Sequence, residues 1–371
     1  MTNWKGDITK IGILGAEKFS PNMEIVLFNL GRMLKNSFEL HLITGSSPVS
    51  LRLQHSYHVH SFQTFQYDPA GIRYALSACR RFIKEWKPAL IVNVCSPASL
   101  GYAVASIGRR YGIPNIVRMT GDSFGEARVH RKPWKRFKAW FLHGKLAGLA
   151  YKNAGCILAI GENLKVDLIR HGYSSEKIFV LPQPFDPDLF KPVIASGKKE
   201  AKNEVGLESG RKTILFVGRL SWLKGADRLL KIVEGIGKSS DAFQFCMLGK
   251  GEYQKAFARF PEELVHCAGA VPHSLVFRYY QAADLLVFPS RTEGLPNAIL
   301  EAMACRVPII ASPVGDIPNW VSHVATEPEE YIEYILRNHW HVDELPSILN
   351  FDRLKKEYVS LFKRVIQGHR G

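Results

Sequence analysis

Along this chain of 371 residues, short apolar segments alternate with helix-forming stretches in two successive series, and a proline-rich segment separates the two series. In the first half, the predicted strands are 10–14, 40–44, 89–94, 115–119 and 156–160. In the second half, they are 212–217, 243–248, 285–288 and 307–311. Short apolar strands that alternate with helices are typical of parallel sheets covered on both faces. The pattern therefore predicts an α/β protein with two doubly wound domains.

The segment 181–192 holds four prolines and can form neither a helix nor a central strand. We place the domain boundary there. The prediction is an N-terminal domain at 1–187, a C-terminal domain at 188–345, and a final helical segment at 346–371 that packs back on the N-terminal domain. Two such domains are expected to face each other across a cleft, which is the usual place for a ligand.

Composition narrows the class of protein. No stretch approaches the 18 consecutive apolar residues that would indicate a membrane span, and the first residues lack the apolar core of a signal peptide. Six cysteines show no Cys-x-x-Cys pairing, which favours reduced, structural thiols. We therefore expect a cytoplasmic protein that is peripheral at the cytoplasmic face of the membrane.

The net charge of +15 is concentrated in the first half of the chain. Residues 1–190 carry 25 Lys and Arg against 13 Asp and Glu, and much of this excess falls in the segment 128–145. Aromatic residues at 134, 137, 140 and 141 share one helical face there. Such a segment can lie on an anionic membrane surface. It can equally be a core-facing helix with a solvated basic side, and no motif accompanies it that would indicate nucleic-acid binding.

Two carboxylates, Glu293 and Glu301, flank a predicted helix start in the second half. Pro296 suits the first helical position, so that Glu293 lies in the preceding loop and Glu301 about one turn inside the helix. The backbone N–H groups at the positive end of this helix favour an anion. They belong to Gly294, Leu295 and Asn297. The two glutamates would place hydrogen-bond acceptors on either side of an anion site, an arrangement that suits a nucleotide-sugar with hydroxyls at both ends and phosphate between them. The alternative interpretation is an amphipathic helix whose glutamates are merely solvated.

A second group of polar residues follows the predicted strand 212–217. Gly218 allows a tight turn, and Arg219 and Lys224 emerge from the loop before the next helix. Because the carboxyl ends of parallel strands share one edge of the sheet, both cations are expected on the same side as Glu293. An arginine and a lysine together suit a diphosphate.

These motifs resemble those of the retaining, GT-B-fold nucleotide-sugar glycosyltransferases of the family 4 type, also called glycosyl transferases group 1. The matching stretches are 180–190, 217–225, 248–252 and 280–304. The similarity is specific over about 180–320 and mostly architectural before that. It implies two Rossmann-like domains and transfer of a sugar from a nucleotide-sugar to a hydroxyl of a saccharide or lipid-linked acceptor, in cell-surface polysaccharide or glycolipid synthesis.

The resemblance also implies roles for individual residues. Arg219 and Lys224 would neutralise the leaving diphosphate, Glu293 would contact the donor sugar, and Glu301 would hold the ribose hydroxyls. Catalytic roles therefore fall to Arg219, Lys224 and Glu293. The expected substrate-binding residues are Gly15, Thr120, Asp122, Gly218, Gly294, Leu295, Pro296, Asn297 and Glu301. Neither a metal nor another cofactor is expected, because the protein's own cations can stabilise the leaving group.

The chain departs from the family pattern in the first domain. Gly15-Ala-Glu-Lys18 stands where a Gly-Gly loop is usual, and Met119-Thr-Gly-Asp122 replaces a frequent histidine. Thr120 or Asp122 is a candidate contact to donor sugar or acceptor. Arg306 occupies a position that is commonly glycine. The histidines at 55, 58 and 60 have loose metal-ligand spacing and are interpreted as solvated.

Two other functions stay open from the sequence. One is a nucleotide-sugar epimerase on the same fold, which would need acid and base groups in the first domain. The other is a non-catalytic, membrane-associated scaffold. The expected partners of the leading hypothesis are a nucleotide-sugar, a saccharide or lipid-linked acceptor, and an anionic membrane surface, but no nucleic acid. The specificity for the base and the sugar of the donor depends on the geometry of loops, which a sequence does not give.

Overall fold

The computed structural model describes residues 9–17, 19, 21–45, 49–63, 68, 71–186 and 188–368. Its contacts divide the chain into two compact units. The first unit is Met1–Pro184 together with Ile348–Gly371, and the second is Phe185–Ser347. Each unit contains a parallel sheet with its own hydrophobic core, because the buried strands leave apolar side chains on both faces for helices to cover.

The first unit contains a seven-stranded sheet whose strands all pair in parallel. The strands are β1 (Lys10–Leu14), β2 (Glu39–Thr44), β3 (His58–Ser61), β4 (Leu90–Asn93), β5 (Asn115–Met119), β6 (Cys156–Ala159) and β7 (Ile178–Val180). Their order across the sheet is β3-β2-β1-β4-β5-β6-β7. This order is doubly wound: the chain moves outward from β1 in one direction and from β4 in the other.

Helices cover both faces of this sheet. They are α1 (Pro21–Leu34), α2 (Leu51–Gln54), α3 (Ile72–Trp86), α4 (Tyr102–Tyr111), α5 (Glu126–Val129), α6 (Pro133–Ala139), α7 (Ala147–Asn153) and α8 (Glu162–Arg170). Two π-helical turns, Pro97–Gly101 and Trp140–Leu146, precede α4 and α7. One core cluster packs α1 against the sheet, and a second packs α3 and α4 against its other face.

The second unit contains a five-stranded parallel sheet. Its strands are β8 (Lys212–Val217), β9 (Phe243–Leu248), β10 (Val265–Gly269), β11 (Leu285–Phe288) and β12 (Ile309–Ala311), in the order β10-β9-β8-β11-β12. Its helices are α9 (Lys198–Glu204), α10 (Ala226–Ser239), α11 (Gln254–Phe257), α12 (His273–Ala282), α13 (Asn297–Ala304) and α14 (Pro328–Arg337).

A buried ion cluster ties α9 to this sheet. Asp284 is 8% exposed and accepts hydrogen bonds from Lys202 Nζ at 2.7 Å and from the backbone N–H of Thr213 at 2.8 Å. Lys198 Nζ lies 3.0 Å from its other oxygen. Burial alone would raise the pKa of Asp284, but the two lysines and the backbone donor outweigh it and lower the pKa.

The last helix, α15 (Phe351–Gly368), belongs to the first unit. Its buried residues Leu354, Tyr358 and Phe362 join the core cluster that contains α1. Tyr358 also donates a hydrogen bond to the carbonyl of Pro182 at 2.9 Å. Asn29 of α1 donates to the carbonyl of Pro184 at 3.3 Å. Side chains from both helices therefore hold the start of the proline-rich segment.

A histidine cluster lies at the β2–β3 edge of the first sheet. His41 is fully buried, and its Nδ1 lies 2.8 Å from Nε2 of His60, while its Nε2 lies 2.9 Å from Glu39 Oε1. Burial lowers the pKa of both His41 and His60. As predicted, His55 and His58 are exposed, whereas His60 is only partly exposed because pairing of β3 with β2 brings it against His41, a residue outside the predicted triplet.

Candidate functional site

The second sheet changes direction between β8 and β11. From β8 the chain moves outward to β9 and β10, whereas β11 leads to β12 on the other side. The loops after β8 and β11 therefore diverge at the carboxyl ends of the strands, where open α/β sheets bind their ligands. These two loops, 218–225 and 289–296, carry most of the site residues predicted from the sequence.

Lys224 and Glu293 meet at this point. Lys224 ends a short 3-10 turn, Trp222–Lys224, and its Nζ donates a hydrogen bond to Glu293 Oε1. The side chains are 24% and 9% exposed, respectively. Arg219 lies in the same loop with an exposed side chain. The structure thus joins two of the three predicted catalytic residues in a half-buried ion pair and leaves the third accessible to solvent.

Glycines allow the loops at this edge to approach closely. Gly225 has φ +71°, and a Cβ there would lie 1.9 Å from the carbonyl oxygen of Pro289. Gly218 donates its backbone N–H to Leu248 at 2.9 Å, and a Cβ on Gly249 would lie 1.9 Å from the Gly218 oxygen. Side chains at Gly225 and Gly249 would push the loops apart, so these two glycines set the spacing of the site.

Arg291 fastens the two loops together. Its Nη1 and Nη2 donate to the two carboxylate oxygens of Asp227 at 2.6 and 2.8 Å. The guanidinium also covers the ring of Trp222 and donates to the Trp222 carbonyl at 2.7 Å. Sequence reasoning missed this contact because its partners lie more than 60 residues apart. Arg291 therefore holds the turn that carries Lys224 beside the loop that carries Glu293.

The start of α13 differs from the prediction in one position. Pro296 was expected at the first helical position, but it is the N-cap, with ψ 138°, and the helix begins at Asn297. The Pro296 carbonyl already accepts the N–H of Ile299 at 3.1 Å, as an N-cap carbonyl does.

The backbone at this helix start retains unused donors. In the part of the chain that the structure describes, no protein acceptor is found for the N–H groups of Gly294, Leu295 and Asn297. The side-chain Oδ1 of Asn297 is buried and also has no hydrogen-bond partner in that part. Gly294 and Leu295 are buried, whereas Asn297 is partly exposed. Of the three residues that carry these amides, Asn297 is therefore the most exposed.

Glu301 is buried, with 5% of its surface exposed, rather than displayed at the surface. Its Oε1 lies 2.8 Å from His273 Nε2, and its Oε2 accepts a hydrogen bond from the Tyr280 hydroxyl at 3.0 Å. Burial, followed by the charge of Glu301, raises the pKa of Tyr280 well above its usual value, so that this hydroxyl stays a donor. Each carboxylate oxygen keeps one lone pair beyond these contacts. The histidine and tyrosine orient a carboxylate that the sequence suggested only as an isolated acceptor.

Arg306 also finds an explanation in the structure. It has φ +55° and follows the C-cap of α13. Its N–H donates to Met303 at 3.0 Å, and the N–H of Val307 donates to Ala302 at 2.9 Å. These two bonds form a Schellman motif, in which the left-handed residue is usually glycine.

The predicted residues of the first unit do not form one cluster. Gly15 follows β1, whereas Thr120 and Asp122 follow β5, and β4 lies between these strands. Asp122 Oδ1 accepts the N–H groups of Phe124 and Gly125 at 3.1 and 2.7 Å. Asp122 therefore stabilises its own turn.

The basic segment 128–145 displays its aromatic side chains. Trp134, Phe137, Trp140 and Phe141 are 61%, 65%, 46% and 49% exposed. The alternative of a core-facing helix is therefore wrong, because none of the four is buried. Among the helices of the described residues, none has both the length and the apolar character needed to span a bilayer.

Family models match both halves of the chain. The model for Glycosyltransferase Family 4 matches residues 23–189, and the model for Glycosyl transferases group 1 matches residues 211–337. One relative, the D-inositol 3-phosphate glycosyltransferase of Segniliparus rotundus, is 30% identical over 38% of this chain and 33% of its own length. A putative teichuronic acid biosynthesis glycosyltransferase of Bacillus subtilis is 28% identical over 58% of this chain and 51% of its own. The matched part of the chain thus spans about a third to a half of the length of these relatives.

Solved structures resemble the whole chain. Anabaena HepE in complex with UDP and glucose has a TM-score of 0.69 at 15% identity, covering 98% of both chains. Sucrose-phosphate synthase of Thermosynechococcus elongatus has the same TM-score at 16% identity, covering 97% of both chains. These likenesses show the fold. With two parallel, doubly wound units and family matches over most of its length, the chain belongs to the group 1, family 4-type glycosyltransferases and has the GT-B fold of two Rossmann-like domains.

Proposed function

We propose that this protein is a retaining glycosyltransferase that moves a sugar from a nucleotide-sugar to a hydroxyl of a saccharide or lipid-linked acceptor. The observation that carries the proposal is the Lys224–Glu293 ion pair at the switch point of the second sheet. A lysine at this place suits a diphosphate, and a carboxylate beside it suits the hydroxyls of a sugar attached to that diphosphate. The unused amide of Asn297 adds a donor at the helix start.

Donor binding would then exchange the partner of Lys224. Without donor, Glu293 satisfies the ammonium group. With donor bound, the diphosphate would pair with Lys224 in place of Glu293, and the Glu293 carboxylate would accept hydrogen bonds from the sugar. As the bond to the anomeric carbon breaks, negative charge grows on the leaving phosphate. Lys224 and Arg219 would stabilise that charge, and a single preorganised donor of this kind contributes about 3–4 kcal/mol.

Retention follows if the acceptor attacks from the face on which the diphosphate leaves, with a phosphate oxygen taking the acceptor proton. The two protein cations could supply the charge that a metal ion would otherwise provide, so we propose a metal-independent reaction. Glu301, oriented by His273 and Tyr280, would accept hydrogen bonds from the ribose hydroxyls.

The basic segment supports a membrane-associated acceptor. Its exposed aromatic side chains can insert into the headgroup region, while its lysines and arginines attract anionic lipids. We therefore propose work at the cytoplasmic membrane face, in polysaccharide or glycolipid assembly. Sedimentation with vesicles of 30% anionic lipid tests this claim: the Trp134→Ser/Phe137→Ser variant should lose most binding. Equal binding by the variant and the parent would remove the segment from the proposal.

The catalytic proposal is tested by incubating the protein with UDP-, GDP- and ADP-sugars, with and without a lipid extract or simple saccharides. We expect release of the nucleoside diphosphate, a glycosylated product with the donor's anomeric configuration, and full activity in EDTA. An isomerised nucleotide-sugar formed without acceptor would instead show an epimerase. No turnover of any donor in the presence of the extract would contradict the proposal.

A further inference from the structure

The first unit has a switch point of its own, between β1 and β4. The chain moves from β1 outward through β2 and β3, and from β4 the other way through β5, β6 and β7. The loops after β1 and β4 therefore diverge, as those after β8 and β11 do in the second unit. A cavity of about 430 Å³ lies between them. Its size falls within the roughly 300–1,000 Å³ of typical small-molecule sites.

The polar lining of this cavity consists of two carboxylates and three hydroxyls. They belong to Glu17, Asp68, Tyr74, Ser96 and Ser99. Asp68 Oδ2 accepts the backbone N–H of Tyr74 at 2.7 Å, which leaves the other oxygen of the carboxylate for a ligand. Burial and the charge of Glu17 raise the pKa of the Tyr74 hydroxyl, so that it stays protonated and donates to the carbonyl of Gly15 at 3.4 Å; only its oxygen remains to accept from a ligand. No lysine or arginine belongs to the lining among the residues that the structure describes.

The two serines are held in place by an uncommon backbone. Ser96 has φ +49° and ψ 76°, a conformation that costs a non-glycine residue about 1–3 kcal/mol. It precedes the π-helical turn Pro97–Gly101, and such turns are frequent at functional sites. Ser96 Oγ and Ser99 Oγ lie 2.9 Å apart, and Ser99 is 7% exposed. The strained turn therefore presents a fixed pair of hydroxyls to the cavity.

Apolar groups complete the wall. Met23, Leu100 and Cys95 line the cavity, and burial raises the pKa of the Cys95 thiol to about 11, so that it stays neutral. A sugar ring has the matching character, since its C–H groups form an apolar face and its hydroxyls form a polar rim. Carboxylates accept hydrogen bonds from such hydroxyls but repel phosphates and uronates.

We propose that this cavity binds one uncharged saccharide ring and excludes anionic ones. The claim that the bound ring is the acceptor sugar rests on the proposed transferase function, whereas the claim that the cavity binds a neutral saccharide does not. If both hold, the cavity receives only the sugar ring of the acceptor. The sugar that receives the new bond is neutral, and any phosphate or lipid of the acceptor lies outside this cavity.

Saturation-transfer NMR on the full chain tests the binding claim. The ligands are methyl glucoside, methyl mannoside, methyl galactoside, glucuronate and glucose 1-phosphate, each up to 50 mM. We expect at least one neutral glycoside to bind about tenfold more tightly than either anion. In Glu17→Gln/Asp68→Asn, which keeps the shape and the acceptor for Tyr74, neutral binding should weaken about tenfold and the preference over anions should fall below about threefold. The matched control is Glu85→Gln, an exposed glutamate of α3.

Three results would overturn the inference: no saccharide binding by the parent protein, an anion that binds as well as the neutral glycosides, or a double variant that behaves like the parent. Ser99→Ala provides a second test if the double variant does not fold, and it should weaken neutral binding about threefold to tenfold. Nucleoside diphosphate binding, followed by thermal shift, should be unchanged in every variant. If the parent protein bound no nucleoside diphosphate, that result would count against the transferase function but would not affect the conclusion on saccharide binding.

Discussion

Replacing Lys224 by methionine should separate its role in stability from its role in catalysis. Glu293 is 9% exposed, so the variant leaves a mostly buried carboxylate without its cation. Such a group costs about 1–3 kcal/mol, and each kcal/mol lowers the Tm of a unit of this size by about 2–4 °C. Loss of the charge that faces the leaving phosphate should also lower kcat by about 10²–10³.

The double variant Lys224→Met/Glu293→Gln makes the distinction. It removes both charges, so most of the lost Tm should return, while kcat should stay at the level of the single variant or below it. Thermal melts give the first quantity, and steady-state release of nucleoside diphosphate gives the second. Lys238→Met, at an exposed lysine of the same unit, should change neither.

A different outcome would refute this reasoning. If the double variant recovered turnover together with Tm, Lys224 would act only by neutralising the charge of Glu293, and neither residue would be needed for catalysis. If Lys224→Met kept kcat within about threefold of the parent, the lysine would not face the leaving group at all.

Three further predictions concern contacts around the site and in the cores. Arg291→Met should raise the donor KM and lower kcat/KM about tenfold or more, because the turn carrying Lys224 is released; Arg291→Lys should not restore it, since one ammonium group cannot bind both oxygens of Asp227. Asp284 has a lowered pKa, so the stability that its ionised carboxylate contributes is complete above the ordinary pKa near 3.8 and is lost as the pH falls through the pKa of the folded state. Asp284→Asn should lower the free energy of unfolding by about 3–5 kcal/mol at pH 7 in denaturant melts and should reduce the loss of stability at acidic pH. His41 and His60 also have lowered pKa values, so the unfolded chain takes up protons first and stability should fall as the pH drops below about 6.5. His60→Gln should reduce this slope in melts between pH 7.5 and 5, whereas His55→Gln should not.

The central strands were predictable because their signal is local. Runs of apolar residues set the bounds of β1, β5, β8 and β9 as the sequence predicts them, since a buried strand needs such a run and little else. The doubly wound arrangement follows from their alternation with helices. The edge strands β3, β7 and β10 were not predicted: β3 and β10 mix polar with apolar residues, and β7 has only three residues.

The site was predictable in its residues but not in its contacts. The loops after β8 and β11 carry Lys224 and Glu293, and shared strand ends bring the two loops together. Nothing local indicates that these two residues pair with each other, or that Tyr280 and His273 engage Glu301, because such contacts depend on how helices pack after folding. Pro296 shows the limit at finer scale: the first helical position and the N-cap differ by one residue and have similar sequence signals.

Arg306 illustrates the opposite case, in which a departure from the family pattern has a local cause. Glycine is common at its position because the Schellman motif needs a left-handed residue there. Arginine adopts the same conformation at φ +55°, so the motif persists with a less suitable residue. Arg306→Gly should therefore keep the fold and raise the Tm slightly, which thermal melts can detect.

The central claim is that the switch point of the second unit binds the diphosphate of a nucleotide-sugar through Lys224. Calorimetric titration of nucleoside diphosphates and monophosphates into the parent protein and Lys224→Met tests it most directly. The account predicts that the parent prefers the diphosphate by about tenfold or more, and that this preference disappears in the variant while monophosphate binding is kept. An equal preference in both proteins would contradict the account.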